Sequence, residues 1–568
     1  MIRAIVVGIG VAALVLQLRG VEQTAQGERP AAALAERFDG LGFGFEGPHG
    51  KAEGRNPSDN SLAVGPDHIV QTVNSRLAIF SKKGKKYDHT GQVLYGAVPT
   101  NTIFSGLGGP CAARNNGDAV VRYDQLADRW LITMPIFSRI PIADLGERPP
   151  VEQPAGPGRL ARQGQASSPG AAAALPANPP TPPPPPAQAG RGTRAGGAPP
   201  PPPRPSTYAM CYALSVGPDP LGPYYRYAFE RPLFPDYPRP AIWIDGYYNP
   251  TSSSDDRISE TIATQKHACV VDRARMLKGQ PAAEQCVVVL NVNFLNNADI
   301  DGKAPPPNGA PNVMMAAGGT QLDKILEADT IDAWNFHVDW KTPANTRLAG
   351  PQKIAVAPYH YLCGGQLTNC VPQPGTDRGL DAQGDKIMSR LVYRRIGNRE
   401  AIVGVHSVDT AAGGGGVRWY EFVIDKARKV ALHQQGTYAP DRFFRWMASP
   451  AIDRFGNIGI GYSFGGTPNF AGQRFAARVP SDPPGVLGLR ETILAEGEAA
   501  QTNTLRWEDY TTTAIDPSDD CTVWYVGDYL KANAPSYSTN IGAFRMAGCG
   551  ARPNEAGARQ NPPEKEEP

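Results

Sequence analysis

A loose repeat constrains the fold of this 568-residue chain more than any other feature. In each copy an apolar strand is followed by a turn rich in Asp, Asn and Gly, and then by a second apolar strand. Such turn residues accept left-handed backbone or bond to their own backbone, so each copy predicts a β-hairpin. The clearest copies are SPAIDRFGNIGIGYS and TAIDPSDDCTVWYVGD. The copies begin at residues 62, 119, 241, 313, 391, 449 and 513.

The spacing of these copies predicts a ring. Apart from one Pro-rich interruption, successive copies start roughly 60 to 80 residues apart, which suits a four-stranded propeller blade with its loops. A ring allows the apolar face of each hairpin to pack against the next, with tryptophans between them. We therefore predict an all-β fold, a β-propeller of about seven blades over residues 55–549. The alternative is an array of β-sandwiches, which would show breaks between units.

The first residues have the pattern of an export signal. Arg3 precedes the apolar run 4–16, which is too short to span a bilayer comfortably. We predict a signal peptide over residues 1–25, an N-terminal extension over 26–54, and a protein that is secreted, periplasmic or at the cell surface. An uncleaved anchor is the alternative, and no later segment predicts a membrane span.

Residues 148–204 are rich in Pro, Ala and Gly and include five successive prolines from Pro182 to Pro186. The segment lacks aromatic residues, so it cannot bury enough apolar surface to fold. We predict a disordered insertion within the propeller; a basic contact arm for surface polyanions is the alternative interpretation. The tail over 550–568 is also predicted to be disordered.

The eight cysteines favour disulfides because export places them in an oxidising compartment. No cysteine and histidine pattern has the spacing of zinc ligands. Eight cysteines allow 105 pairings, and proximity in the chain favours two of them, which leaves two further pairs. The predicted pairs are Cys363 with Cys370, Cys521 with Cys549, Cys269 with Cys286, and Cys111 with Cys211.

Composition and motifs exclude several functions. The net charge of +2 argues against nucleic-acid binding. The chain has no G-x-S-x-G elbow, H-E-x-x-H motif, Walker loop or dinucleotide fingerprint that would indicate a common enzyme class.

The candidate ligand site follows from the fold, because propeller ligands usually bind where the innermost strands begin. Arginines there would bind a carboxylate or sulfate, and aspartates would act as acids, bases or calcium ligands. The alternative is that these charges form salt bridges between blades and caps of turns. No other cofactor is indicated. The candidate residues are Arg445, Arg506, Asp509, Tyr510, Asp59, Asn60 and Asp118.

Several stretches together resemble a group of uncharacterised secreted bacterial proteins that look like β-propellers. They include SDNSLAVGPDHIVQTVNSRLAIF, RWMASPAIDRFGNIGIGYS and RWEDYTTTAIDPSDDCTVWYVGDYL, and the resemblance runs from about Asn56 to Met546. The Pro-rich segment departs from the group. The resemblance implies a propeller and export, but it implies no catalytic residues.

These observations predict a monomeric, exported, non-catalytic binding or scaffold protein that recognises a glycan, a peptide or a surface partner. The alternative is an extracellular polysaccharide hydrolase or lyase with its site at the channel mouth, which requires the candidate side chains to converge in one place.

Overall fold

The computed structural model describes residues 21–52, 55–137, 159–160, 208–254, 265–290, 292, 294–318, 329–365 and 367–549. The predicted tail, most of the predicted insertion and residues 1–20 of the predicted signal peptide lie outside these ranges. In the described part of the chain, no helix has the length and apolar character needed to cross a membrane.

The protein is all-β and is built mainly from seven antiparallel groups of strands, here called sheets 1 to 7, of which sheets 4 and 5 are joined into one nine-stranded sheet. Several strands, such as His68–Val73 and Ile458–Gly466, are buried along their whole length, and tight turns connect many of the strands. Sheet 1 comprises Ser61–Val64, His68–Val73, Arg76–Ser81 and Val93–Pro99; sheet 2 comprises Val120–Asp124, Arg129–Ile136, Tyr208–Ser215 and Tyr224–Arg231; sheet 3 comprises Ala241–Ile242, Tyr247–Tyr248, Gln265–Val271 and Glu284–Val289, with Arg159–Leu160, Phe234–Asp236 and Thr251–Ser254 paired beside them; sheet 4 comprises Asn296–Ile300, Asn312–Ala317, Thr330–His337 and Arg347–Ala355.

The remaining sheets follow the same pattern, except that the last one takes a strand from the N-terminal part of the chain. Sheet 5 comprises Leu391–Ile396, Arg399–Asp409, Gly415–Ile424 and Val430–Tyr438; sheet 6 comprises Phe444–Ile452, Ile458–Gly466, Asn469–Arg478 and Thr492–Ala495; sheet 7 comprises Thr512–Ile515, Val523–Tyr529, Ser538–Arg545 and Ala33–Asp39.

The first strands of the sheets lie side by side. Each contacts the first strand of the next sheet, and Asn296–Ile300 and Leu391–Ile396 also form a parallel pair. The first strand of sheet 7, Thr512–Ile515, in turn contacts Ser61–Val64 of sheet 1. The polar residues that precede these strands are therefore brought to one end of the sheets.

Two N-terminal strands lie within the folded part. Ala33–Asp39 pairs antiparallel with Ser538–Arg545, and Val21–Gln23 pairs parallel with Val430–Tyr438. The propeller boundary expected at residue 55 therefore separates Ala33–Asp39 from the rest of sheet 7. The prediction used hairpin turns, which identify consecutive strands but not a strand that comes from a distant part of the chain. Residues 21–25, assigned above to the signal peptide, include a paired strand.

The fourth repeat begins earlier than predicted. Its first strand is Asn296–Ile300, and residue 313 belongs to its second strand, Asn312–Ala317. Residues 301–311 join these strands, and so long a connection lacks the tight-turn pattern that identified the other copies.

Apolar and aromatic packing fills the space between sheets. The seven tryptophans that lie in or beside the repeats are all buried. Gly461 of sheet 6 packs against the ring of Tyr525 in sheet 7, where any Cβ would lie 2.3 Å from the ring. The interior is therefore closely packed. The seven tryptophans are Trp130, Trp243, Trp334, Trp419, Trp446, Trp507 and Trp524.

All four predicted disulfides are confirmed, and no described cysteine is free. Cys111–Cys211 joins a helical turn to sheet 2, Cys269–Cys286 links neighbouring strands of sheet 3, and Cys521–Cys549 holds the end of the described chain to sheet 7. The remaining elements are the hairpins Glu46–Gly47 with Gly50–Lys51 and Val371–Gln373 with Thr376–Leu380, the α-helices Gly109–Ala113 and Arg273–Met276, and the 3₁₀ helices Thr100–Phe104, Pro343–Asn345 and Leu362–Gly364.

Candidate functional site

Four aspartates, here called the acidic group, lie together at the end of the sheets where the first strands begin. Asp59, Asp118, Asp236 and Asp509 precede the first strands of sheets 1, 2, 3 and 7. Asp59, Asp118 and Asp509 have positive φ angles of 50°, 53° and 68°, which aspartate accepts more readily than most residues. The charges of Asp118 and Asp509 act on both Asp59 and Asp236, so the four carboxyl groups are close enough to influence one another.

The pKa values of three members of the acidic group are raised. Burial raises the pKa of Asp59, and the negative charges of Asp118 and Asp509 raise it further. Burial also raises the pKa of Asp118. The pKa of Asp236 rises to about 8, first through burial and then through the charges of Asp118 and Asp509. With a pKa of about 8, the carboxyl group of Asp236 can donate as well as accept hydrogen bonds at neutral pH.

Arg506 is the arginine that faces the acidic group. Its Nε donates a hydrogen bond to Oδ1 of Asp509 at 3.1 Å, and its Nη2 bonds to Oδ2 of the same carboxylate. Its positive charge lowers the pKa values of Asp59, Asp118 and Asp236, in opposition to burial. The side chain is 35% exposed, so part of the guanidinium remains open to a ligand.

Two tyrosines flank the acidic group. Tyr510 is buried, and its hydroxyl makes no hydrogen bond within the described part of the molecule. Burial raises the pKa of Tyr510, and the nearby charges of Asp59 and Asp118 raise it further. The hydroxyl of Tyr237 instead donates to the carbonyl oxygen of Asp509 at 2.5 Å. Tyr510 therefore offers an unused hydroxyl beside the carboxyl groups.

Three cations surround the ring of Phe294 next to the acidic group. Nζ of Lys386, Nζ of Lys266 and the guanidinium carbon of Arg239 lie 4.3, 4.8 and 5.5 Å from the centre of that ring. Gln383 links the two regions, because it donates to Asp509 at 2.7 Å and accepts from Lys386. We call Arg239, Lys266, Lys386 and Phe294 the basic cluster.

Sequence reasoning missed Asp236 and the basic cluster. Asp236 precedes its first strand as Asp59 and Asp118 precede theirs, so the same positional argument would have found it. Phe294 was hidden because the fourth repeat was expected to begin at residue 313. Lys266 lies in the third strand of sheet 3, where no positional signal exists.

Arg445 is not part of the acidic group. Its guanidinium is fully buried and binds Asp441 through two hydrogen bonds of 2.9 Å. It also binds Glu491 at 2.7 and 3.1 Å. Of the seven candidates, the structure brings together Asp59, Asp118, Arg506, Asp509 and Tyr510.

Asn60 belongs to a second, fully buried network. Its Nδ2 bonds to Oδ1 of Asp528 and to the hydroxyl of Ser58. The backbone nitrogen of Asp528 donates to Oε1 of Glu508 at 2.7 Å. Burial raises the pKa of Glu508, as does the charge of Asp528, and burial raises the pKa of Asp528 to about 8. Asn60 thus supports buried carboxyl groups, and its side chain has no solvent-exposed surface for a ligand.

Ion pairs fill the space between the first strands. Arg390 contacts Asp299 at 2.7 Å and Asp301 at 2.6 Å, and Arg122 contacts Asp299 at 3.1 Å. Residues from the first strands of sheets 1, 2, 4 and 7 line the small cavity around them. The space between these first strands is therefore largely filled by side chains and does not form an open tunnel.

Two groups of described residues have donor atoms close enough to share a metal ion. Both groups include cysteines of disulfides, which offer no thiolate to a metal. The acidic group is not among them, so calcium at Asp59, Asp118 or Asp509 stays a prediction. The two groups are Cys269, Glu284 and Cys286, and Asp519, Cys521 and Cys549.

Comparisons find only distant likenesses. No family model and no curated protein match the chain. A protein of unknown function from Dyadobacter fermentans DSM 18053 is 9% identical with a TM-score of 0.34, over 91% of this chain and 100% of that one. A polysaccharide lyase of family PL25, an ulvan lyase, is 11% identical with a TM-score of 0.30, over 93% and 96%. A GH43 glycoside hydrolase is 10% identical with a TM-score of 0.16, over 91% and 98%. Likenesses this weak assign neither fold nor function.

Proposed function

We propose that the seven sheets are the blades of one closed β-propeller. The contact of Thr512–Ile515 with Ser61–Val64 supports closure, as does the pairing of Ala33–Asp39 with the last sheet. Deletion of residues 21–39 would expose the edge of Ser538–Arg545, so we expect a lower melting temperature and association between chains, measured by calorimetry and light scattering. A deletion variant as stable and monomeric as the full chain would contradict closure.

The protein, in this proposal, is exported and binds an extracellular glycan at the acidic group. Four disulfides support export, because they form and persist in oxidising compartments. The observation that carries the binding function is the convergence of partly protonated carboxyl groups, a half-exposed guanidinium and an unused phenol. Sugar hydroxyls both donate and accept hydrogen bonds, so this mixture suits them.

A glycan array followed by calorimetry tests this function. We expect Asp236→Asn and Arg506→Ala each to weaken binding about tenfold or more, since the first removes a carboxyl group that both donates and accepts hydrogen bonds and the second removes a charged donor. Asp88→Asn is the matched control: the Asp88 side chain is 93% exposed, and it lies in the loop joining Arg76–Ser81 to Val93–Pro99, away from the acidic group. Absence of glycan binding, or equal binding by all variants, would contradict the proposal.

A second candidate is a polysaccharide hydrolase or lyase that uses the same residues. It is favoured by the pKa of Asp236, about 8 through burial and neighbouring charge, because a group protonated at neutral pH can act as a general acid. We expect Asp236→Asn to abolish release of new reducing ends from a polysaccharide bound in the array. A lyase would also form an unsaturated, ultraviolet-absorbing product. Cleavage unchanged in Asp236→Asn and Arg506→Ala would reject this candidate.

A further inference from the structure

The geometry points to a subsite for one oxyanion, a carboxylate or a sulfate ester, in the basic cluster. This inference rests on the proposed glycan-binding function and narrows it to acidic glycans. The ligand group would lie against Arg239 and Lys266, beside the ring of Phe294.

Arg239 has donors without acceptors. The side chain is only 3% exposed, and its Nη1 makes a long hydrogen bond of 3.4 Å to the carbonyl of Leu295. Its Nε and Nη2 have no hydrogen-bond partner among the residues described. The guanidinium lies 4.4 Å from the ring centre of Tyr237, whose hydroxyl donates to Asp509 and whose oxygen is the one nearby side-chain hydrogen-bond acceptor that acts on Arg239 among the residues described. Buried donors without acceptors cost free energy, which a bound oxyanion would recover.

Lys266 is the second cation of the cluster that has no ion pair among the described residues. It is buried in the third strand of sheet 3, and its ammonium makes no ion pair within the described ranges. Its contact is the ring of Phe294, at 4.8 Å. Burial lowers the pKa of Lys266 to about 8, and the charges of Arg239 and Lys386 contribute to this. It therefore remains largely protonated at neutral pH.

The charges of the cluster do not balance. Lys386 is paired with Asp385 at 2.6 Å and with Gln383. Asp236 and Asp385 are the carboxyl groups whose charges act on Lys266, and Asp236 is itself partly protonated. Among the residues that the structure describes, the cations of the cluster therefore exceed its ionised carboxylates, and a ligand oxyanion would supply negative charge there.

The position of the cluster connects it to the acidic group. The ring of Tyr237 lies 5.3 Å from that of Tyr510 and 5.2 Å from that of Phe294. Phe294 is partly exposed, so the cluster is reached from the same end of the sheets. A glycan whose hydroxyls bind the acidic group would thus place an acidic substituent on the basic cluster.

Inorganic sulfate tests the subsite without any glycan. At constant ionic strength, low millimolar sulfate should raise the melting temperature of the full chain more than chloride does. Lys266→Met should abolish this difference, whereas Lys278→Met should retain it, because Lys278 is exposed and follows the helix at the other end of sheet 3. No difference between sulfate and chloride, or an equal difference in Lys266→Met, would overturn the subsite.

Three oligosaccharides then separate the subsite from the proposed function. The probes are oligogalacturonate, its carboxyl-reduced neutral counterpart, and a sulfated galactan oligosaccharide without carboxylates. We expect oligogalacturonate or the sulfated probe to bind about tenfold more tightly than the neutral one, and Lys266→Met or Arg239→Gln to remove that preference. Circular dichroism checks the folding of both variants.

The outcomes are distinguishable. Neutral and acidic probes that bind equally would overturn the subsite and leave the glycan-binding function standing. Sulfate binding that depends on Lys266, with no glycan bound in the array, would overturn the proposed function and leave the oxyanion subsite standing.

Discussion

Arg445 and Arg506 each precede a buried tryptophan, yet their surroundings differ completely. Arg445 has no exposed side-chain surface and binds two carboxylates, Asp441 and Glu491. Arg506 is 35% exposed and binds one carboxylate, Asp509, beside three more carboxyl groups. The Arg-Trp dipeptide thus has two roles. In sheet 6 its arginine binds carboxylates within the folded interior, whereas before sheet 7 its arginine presents a charge to solvent. The difference lies in how many carboxylates saturate the guanidinium.

The largest expected effect concerns stability. Arg445→Ala leaves Glu491 buried without its cation, so we expect a loss of about 3 to 5 kcal/mol in the free energy of unfolding. Arg506→Ala should cost less, because solvent screens the partly exposed guanidinium and Gln383 still donates a hydrogen bond to the buried Asp509. Urea denaturation of both variants measures this. Equal losses would remove the distinction between the two arginines.

Ligand binding should show the reverse order. Arg506→Ala should weaken glycan binding about tenfold or more. Arg445→Lys, which keeps the charge in the buried site, should bind like the wild type at a temperature where it is folded. Calorimetry with the tightest glycan from the array measures both, and a larger loss in Arg445→Lys would move the site to sheet 6.

The buried network of Glu508 and Asp528 and the carboxylate of Glu491 beside Arg445 should change the stability of the fold in opposite directions with pH. Burial raises the pKa of Glu508 and Asp528, so their protons bind more tightly in the folded state; the resulting stability is full below about pH 4 and is lost as pH rises towards 8. Burial raises the pKa of Glu491, but the hydrogen bonds and the charge of Arg445 lower it by more, so the net pKa lies below its ordinary value. The contribution of Glu491 to the stability of the fold is therefore lost as pH falls below about 4.

Unfolding free energies across this pH range, measured by urea denaturation, check both slopes. Asp528→Asn should flatten the decline between about pH 4 and 8, and Glu491→Gln should flatten the loss in acid. A decline that is as steep in Asp528→Asn as in the wild type would place its cause in other carboxyl groups.

The smallest effect is expected at Asp441. Its side chain is 38% exposed and shares Arg445 with Glu491, which is 11% exposed. Asp441→Asn should therefore cost less than about 1 kcal/mol, and Glu491→Gln should cost more. The opposite ranking in urea denaturation would show that the exposed partner holds Arg445.

Most hairpins and the shortest disulfide could be predicted because they join residues that are close together in the sequence. Turns of Asp, Asn and Gly identified most hairpins, and proximity identified Cys363 with Cys370. The start of the fourth repeat could not be found, because the connection of residues 301–311 has no tight turn. The strand Ala33–Asp39 was missed because its partner lies some 500 residues away in sequence.

The candidate site was predictable only where position decides it. Asp59, Asp118 and Asp509 precede first strands, and the shared geometry of those strands brings them together. Arg445 could not be told from Arg506, because Glu491, which saturates it, lies 46 residues further along the chain. Lys266 and Arg239 form a cluster only through the packing of sheet 3 against Phe294.

The pairing of Ala33–Asp39 with Ser538–Arg545 sets the order in which this protein matures. Ala33–Asp39 is synthesised early, and it stays without its partner strand until Ser538–Arg545 has been synthesised. Sheet 7 therefore cannot be completed during synthesis, and the growing polypeptide stays short of its final form until almost every residue has been added.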